Sequence, residues 1–151
     1  TVFVEPMGVV EANNEIRVLR ADEQEEMVML YLDKGRMFVL MDDGCKAECV
    51  VTDEGEGILE IKNIAVDPDY HGKGYGRKLI AFVEQAFADR YRILQVGTGD
   101  SPLTVPFYER CGFVRSHVIK DFFLDHYDHP IIECGVLLKD MVYFQKPLQG
   151  N

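Results

Sequence analysis

The residues with the clearest chemical potential lie in the stretch His71-Gly-Lys-Gly-Tyr-Gly-Arg77, between an apolar strand pattern and a helical one. Glycines there let the backbone approach a ligand closely, and the first N–H groups of the helix that follows have no partner within it. A helix start of this kind attracts anions, phosphate above all. Lys73, Arg77 and Lys78 fall within six residues with no acid among them, which makes this the most basic stretch of the chain. Two common phosphate motifs fail. The spacing is G-x-G-x-G rather than G-x-G-x-x-G, with no acid about 20 residues on to hold a ribose. No Gly-Lys-[Ser/Thr] completes a Walker loop either. Taken alone, the stretch also fits a glycine-rich turn that starts a surface helix.

Other chemistry-bearing residues point to less. Cys45, Cys49, Cys111 and Cys134 form no C-x-x-C pair and read as reduced structural thiols. His126 and His129 have a metal-like spacing but no companion ligands, so no metal is expected and a polar loop is the reading.

The elements that position the glycine loop follow from periodicity. Ile16 and Val18 alternate within a first strand, Glu15–Leu19, and Asp22 with Glu25 forms a capping box for a helix that Gly35 stops. Met37–Met41 and Cys45–Thr52 flank Asp42-Asp43-Gly44, a hairpin signal. In the strand Ile58–Val66, Leu59 and Ile61 share one phase while Ile64 and Val66 share the other. Either the strand is buried on both faces, or a β-bulge near Lys62–Asn63 absorbs one residue. A helix over Gly74–Asp89 carries Leu79, Phe82, Val83, Ala86 and Phe87 on one stripe. A strand over Arg92–Val96 ends at Gly97-Thr98-Gly99, and a short helix spans Val105–Arg110. Strands follow at Phe113–Ile119 and Val142–Phe144, with irregular chain over 122–138. This order predicts a mixed α/β sheet.

The 151 residues, 47% hydrophobic and 28% charged, suit one domain over 1–151, with about 1–14 as an N-terminal extension. Lys+Arg 16 against Asp+Glu 26 leaves a net charge of −10, which argues against nucleic acid and anionic membranes as partners. The longest apolar run, Met27–Leu32, is far short of a bilayer span and no signal peptide opens the chain, so the expected location is the cytoplasm. The charge is unevenly spread. Residues 61–120 hold 9 bases and 6 acids, whereas residues 1–60 hold 5 bases and 15 acids. One polyanionic ligand on the basic segment is compatible with the acidic whole.

Downstream of the loop lies Phe107-Tyr-Glu-Arg-Cys-Gly-Phe113. With Val66, His71, Gly74 and Gly76 ahead of it, this segment resembles the GNAT superfamily of acyl-CoA-dependent N-acetyltransferases. That family's signature is a strand ending in Val, an Arg/Gln-x-x-Gly-x-Gly/Ala loop, then Phe-Tyr-x-x-x-Gly-Phe. His71 departs from the usual Arg or Gln. The segment Phe122–Ile131 looks like a little-characterised bacterial subgroup.

The resemblance implies a mostly antiparallel sheet with one splayed parallel pair, ending at Val66 and Val96, and acetyl-CoA between them. Ile64, Ala65 and Val66 would pair with the pantetheine. His71, Gly72, Lys73, Gly74, Tyr75, Gly76 and Arg77 would hold the pyrophosphate, and Thr98 would line the other strand. Tyr108 matches the proton donor to the thiolate; Glu60, six residues before Val66, matches a general base. Asp100 stands where many relatives carry Asn. Loops around Tyr31–Arg36 and Phe123–Leu138 would wall the acceptor site, with Asp100, Asp128 and Glu133 as anchors for a cationic amine. The implied reaction moves acetyl from acetyl-CoA to a primary amine of a small cationic or peptide-like acceptor, by direct attack in a ternary complex. Protein lysine or N-terminal acetylation, and a non-catalytic acyl-CoA-binding module, stay open beside it, as do a monomer and a homodimer.

Overall fold

A computed structural model describes residues 2–7 and 35–148. The strand expected at Glu15–Leu19, the helix up to Gly35 and the loop from Tyr31 fall largely outside them. The described chain forms β1 (Phe3–Met7), β2 (Arg36–Met41), β3 (Cys45–Asp53), β4 (Ile58–Val66), α1 (Tyr75–Phe87), β5 (Ile93–Gly99) and α2 (Val105–Arg110). It continues through β6 (Val114–Ile119), α3 (Phe122–His126), β7 (Ile132–Glu133), β8 (Val136–Leu137) and β9 (Met141–Pro147). Seven strands make one sheet in the order β1-β2-β3-β4-β5-β9-β6, and β7 with β8 makes a separate hairpin. Within the large sheet only β4 and β5 are parallel neighbours.

The β2–β3 hairpin forms where Asp42-Asp43-Gly44 placed it; Asp43 and Gly44 both take positive φ, as a tight hairpin turn requires. Residues 1–14, read as an extension, contain an edge strand: Phe3–Met7 runs antiparallel to β2. The segment 122–138, read as irregular, holds α3 and the two-residue strands of the small hairpin. Those elements are too short for a periodicity to show.

Among the described residues, a core lies between α1, α2 and the sheet. Leu79, Ile80, Val83 and Phe87 of α1 pack on Leu40, Ala47, Cys49, Leu59, Ile61, Leu94, Val96 and Phe144. The buried stripe is turned slightly from the expected one. Ile80 is fully buried, and Phe82 and Ala86 sit at its edge. Burying such side chains stabilises by about 1.5–3 kcal/mol each, which fixes α1, and hence the glycine loop ahead of it, against β4.

Candidate active site

The phase slip in β4 is a bulge. Asn63 pairs with Val50 and Ile61 with the adjacent Val51, so Lys62 is the extra residue. Beyond it, Ile64 and Val66 pack against the same core as Leu59 and Ile61. The bulge also marks where the parallel pair parts. β4 and β5 pair from Ile58↔Ile93 to Ile61↔Val96 and no further. From there to Val66, the β4 backbone has no ladder partner on its β5 side.

A cleft of about 450 Å³ opens in the gap. Ile64, Ala65, Val66 and His71 line one lip; Gly97, Thr98 and Gly99 line the other, with Tyr108 between them. The far wall comes from the segment after β6, through Phe123, Tyr127, Ile131, Glu133 and Leu138. The second of the two expected loops thus borders this cleft. Asn63 also lines the cleft, and its Oδ1 is buried without a hydrogen-bond partner among the described residues.

At the cleft mouth the glycine loop meets α1. Gly72 and Gly74 both take φ 81°, a backbone that residues with a Cβ rarely adopt, and no other atom crowds either position. The first hydrogen bond into α1 runs from Lys78 N to the Gly74 carbonyl at 3.0 Å, so the amides before it point out of the helix start. Gly76 ties the two sequence motifs together: a Cβ there would meet the Phe107 ring at 3.2 Å and Val66 at 3.3 Å. His71 donates its Nε2–H to the Val66 carbonyl at 3.0 Å, which fixes the ring on the lip of the cleft. Lys73, Arg77 and Lys78 are exposed around it, and the Tyr75 hydroxyl donates to Asp42 at 2.5 Å.

Tyr108 sits in an aromatic cluster, 5.2 Å from Phe107, 5.8 Å from Phe113 and 6.2 Å from Phe144 between ring centroids. Its hydroxyl makes no hydrogen bond among the described residues, although the residue lines the cleft. Burial pushes the phenol far above its ordinary value, so it stays protonated at neutral pH.

Glu60 is placed differently from a solvent-facing strand residue. It is 5% exposed, Gln95 donates to its Oε1 at 2.6 Å, and Lys62 pairs with its Oε2 at 2.9 Å. The parallel register puts Glu60 opposite Gln95, and Gln145 in turn donates to Gln95 at 2.7 Å. Glu60 is absent from the cleft lining, whereas its partner Lys62 is part of it.

The candidate acceptor anchors separate. Glu133 lines the cleft. Asp100 is exposed, pairs with Arg115 at 3.4 Å, and does not cap α2, whose N-cap is Thr104. Asp128 is exposed and pairs with His129 at 2.6 Å. Thr98 lies in the cleft and shares a 2.6 Å hydrogen bond with Thr104. Arg36, at the end of the other expected loop, lies over the Phe38 and Phe87 rings. Among the described residues no group of three or more His, Cys, Asp or Glu is placed to hold a metal ion. Asn63, Gln95 and Lys62 are the site residues that motif spacing did not flag. For Lys62 and Asn63 the signal was the phase slip; Gln95, on the neighbouring strand, had none.

A sheet parted at its one parallel pair, with a glycine-rich helix start on one lip and a protonated phenol in the gap, is built for an acyl carrier. The family profile described as Acetyltransferase (GNAT) domain matches residues 33–115. An uncharacterized N-acetyltransferase of Bacillus subtilis (strain 168), YvbK, is 33% identical over 137 residues, covering 87% of this chain and 88% of its own. The solved structure of an IAA acetyltransferase from Bacillus cereus ATCC 14579 superposes with a TM-score of 0.88 at 31% identity, over 97% of this chain and 99% of that one. A GNAT family acetyltransferase from Elizabethkingia anophelis, with acetyl-CoA bound, gives 0.89 at 27% identity over 97% of each chain. The chain belongs to the GNAT family of acetyl-CoA-dependent N-acetyltransferases.

Proposed function

We propose that this protein transfers the acetyl group of acetyl-CoA to the primary amine of a small cationic acceptor, by direct attack while both are bound. The observation that carries the reading is the end of β4–β5 pairing at Ile61↔Val96, with Tyr108 lining the gap. The residues present fit acetyl-CoA. The unpaired backbone of Ile64, Ala65 and Val66 offers ladder partners for the pantetheine amides, and Asn63 Oδ1 offers one more acceptor. The amides of Gly72–Arg77, with Lys73, Arg77 and the His71 ring, suit the pyrophosphate. Thr98 lines the opposite lip.

Attack needs a neutral amine, so the ammonium first loses a proton. Glu60 is held by Gln95 and Lys62 outside the cleft lining, which favours a water between it and the amine. The amine nitrogen then bonds to the acetyl carbon, the C–S bond breaks, and the nitrogen gives up its surplus proton to solvent to leave the neutral amide. The departing thiolate takes the Tyr108 proton, and solvent restores the phenol. A phenol kept protonated by burial suits that step.

The test is thiol release from acetyl-CoA in the presence of primary amines. Tyr108→Phe is expected to lower kcat about 100-fold, the lower range for a general acid, with CoA affinity unchanged. Full activity in Tyr108→Phe would remove it as the donor. Binding of CoA without turnover of any amine would leave only the non-catalytic reading.

A further inference from the structure

The wall of the cleft carries information about the acceptor that the catalytic residues do not. It is built from α3, the β7–β8 hairpin and the start of β9. Phe123, Ile131 and Leu138 form a small buried cluster against which Phe122, Tyr127 and Met141 pack. The Phe123 and Tyr127 rings are stacked, with centroids 5.6 Å apart and planes 21° from parallel. This cluster turns one side to the cleft. At the mouth, Leu103 and Ile132 also line the cleft, yet they are 58% and 62% exposed. Exposed apolar side chains on the rim of a binding cleft are surface that an apolar ligand would cover.

Beside this apolar wall, Glu133 is the one carboxylate that lines the cleft among the described residues. Its side chain makes no hydrogen bond or ion pair among them, and its charge acts on the Tyr108 phenol. It ends β7 just before the turn Cys134-Gly135, whose two positive φ angles close the hairpin tightly. Its position is therefore set by backbone geometry rather than by a salt bridge that an acceptor would have to displace. The other cation-binding candidates do not reach the cleft: Asp100 and Asp128 are exposed and paired.

We infer that the acceptor is a primary monoamine on an apolar body, aromatic or alkyl, with its ammonium held by Glu133 and its body on the Phe123–Leu138 wall. This rests on the N-acetyltransferase reading above and narrows its acceptor. A polyamine would bring a second ammonium against the apolar wall, where Glu133 is the one carboxylate, and a free amino acid would set its own carboxylate beside Glu133; both are costly. A long acyl chain is the other apolar group this wall would suit, but it would place Glu133 against hydrocarbon. The wall is therefore assigned to the amine.

The test is a panel assayed by thiol release and by mass of the acetylated product: phenethylamine and hexylamine against spermidine, lysine and a lysine-containing hydrophilic peptide. The expected result is a kcat/KM at least tenfold higher for the two apolar monoamines. Glu133→Gln should raise the KM for phenethylamine about tenfold without changing that for acetyl-CoA. Phe123→Ala should lower the preference for phenethylamine over spermidine. Faster turnover of spermidine, lysine or the peptide overturns the acceptor class and leaves the acetyltransferase reading standing. Faster turnover of octanoyl-CoA than acetyl-CoA with phenethylamine reassigns the wall to the acyl chain and also overturns the inference. No turnover of any amine, with CoA still bound, overturns both.

Discussion

Glu48 offers a test of the sheet that does not depend on catalysis. It lies on β3 opposite Ala65 of β4, is fully buried, and neither carboxylate oxygen has a hydrogen-bond partner among the described residues. Burial pushes its carboxyl from the ordinary 4.5 up to about 8. The folded protein therefore keeps a proton on Glu48 that the unfolded chain has lost between those two values. Folding stability from this group is highest below pH 4.5 and falls as pH rises toward 8. Proton linkage then gives a loss of roughly 4 kcal/mol between about pH 5 and pH 9. The perturbation is Glu48→Gln, which cannot titrate. Its amide carries its own burial cost, but that cost is the same at both pH values. The difference in stability, variant minus wild type, should rise by roughly 4 kcal/mol from about pH 5 to pH 9, or on the order of 10 °C in relative melting temperature. Urea unfolding at several pH values measures it. A difference that stays flat with pH would refute the reasoning, because Glu48 would then be charged and solvated in the folded state.

Gly76→Ala should lower stability by about 1–2 kcal/mol and raise the KM for acetyl-CoA severalfold, because its methyl would press on the Phe107 ring and Val66. Thermal unfolding and steady-state kinetics check the two effects separately. The KM for acetyl-CoA should also rise severalfold between about 50 mM and 500 mM salt, since Lys73, Arg77 and Lys78 are exposed and screened. Lys73→Met should flatten that dependence, which a salt titration of the initial rate would show.

What could be read in the sequence was local. The slip between Leu59/Ile61 and Ile64/Val66 is a property of nine consecutive residues, and it located the bulge that parts the parallel strands. Val105–Arg110 and Ile58–Val66 were legible to the residue for the same reason. The burial of Glu60 was not, because it depends on Gln95, brought opposite by the parallel register of a strand 35 residues away. Nor could spacing separate Glu133 from Asp100 and Asp128, since none of the three sits in a motif with fixed partners. Only the hairpin and the pairing with Arg115 and His129 tell them apart. Phe3–Met7 carries Glu5 and Pro6 in a strand, a composition tolerated at a sheet edge and hard to recognise as one.

The central claim is that the gap beyond Ile61 and Val96 holds the acyl carrier with its sulfur at Tyr108. A crystal structure of the protein with CoA tests it most directly. The account predicts the pyrophosphate on the amides of Gly72–Arg77 and the pantetheine paired with Ile64–Val66. The thiol sulfur should lie within about 4 Å of the Tyr108 hydroxyl, close enough for proton transfer. CoA bound away from this gap, or in it with the sulfur turned from Tyr108, would contradict it.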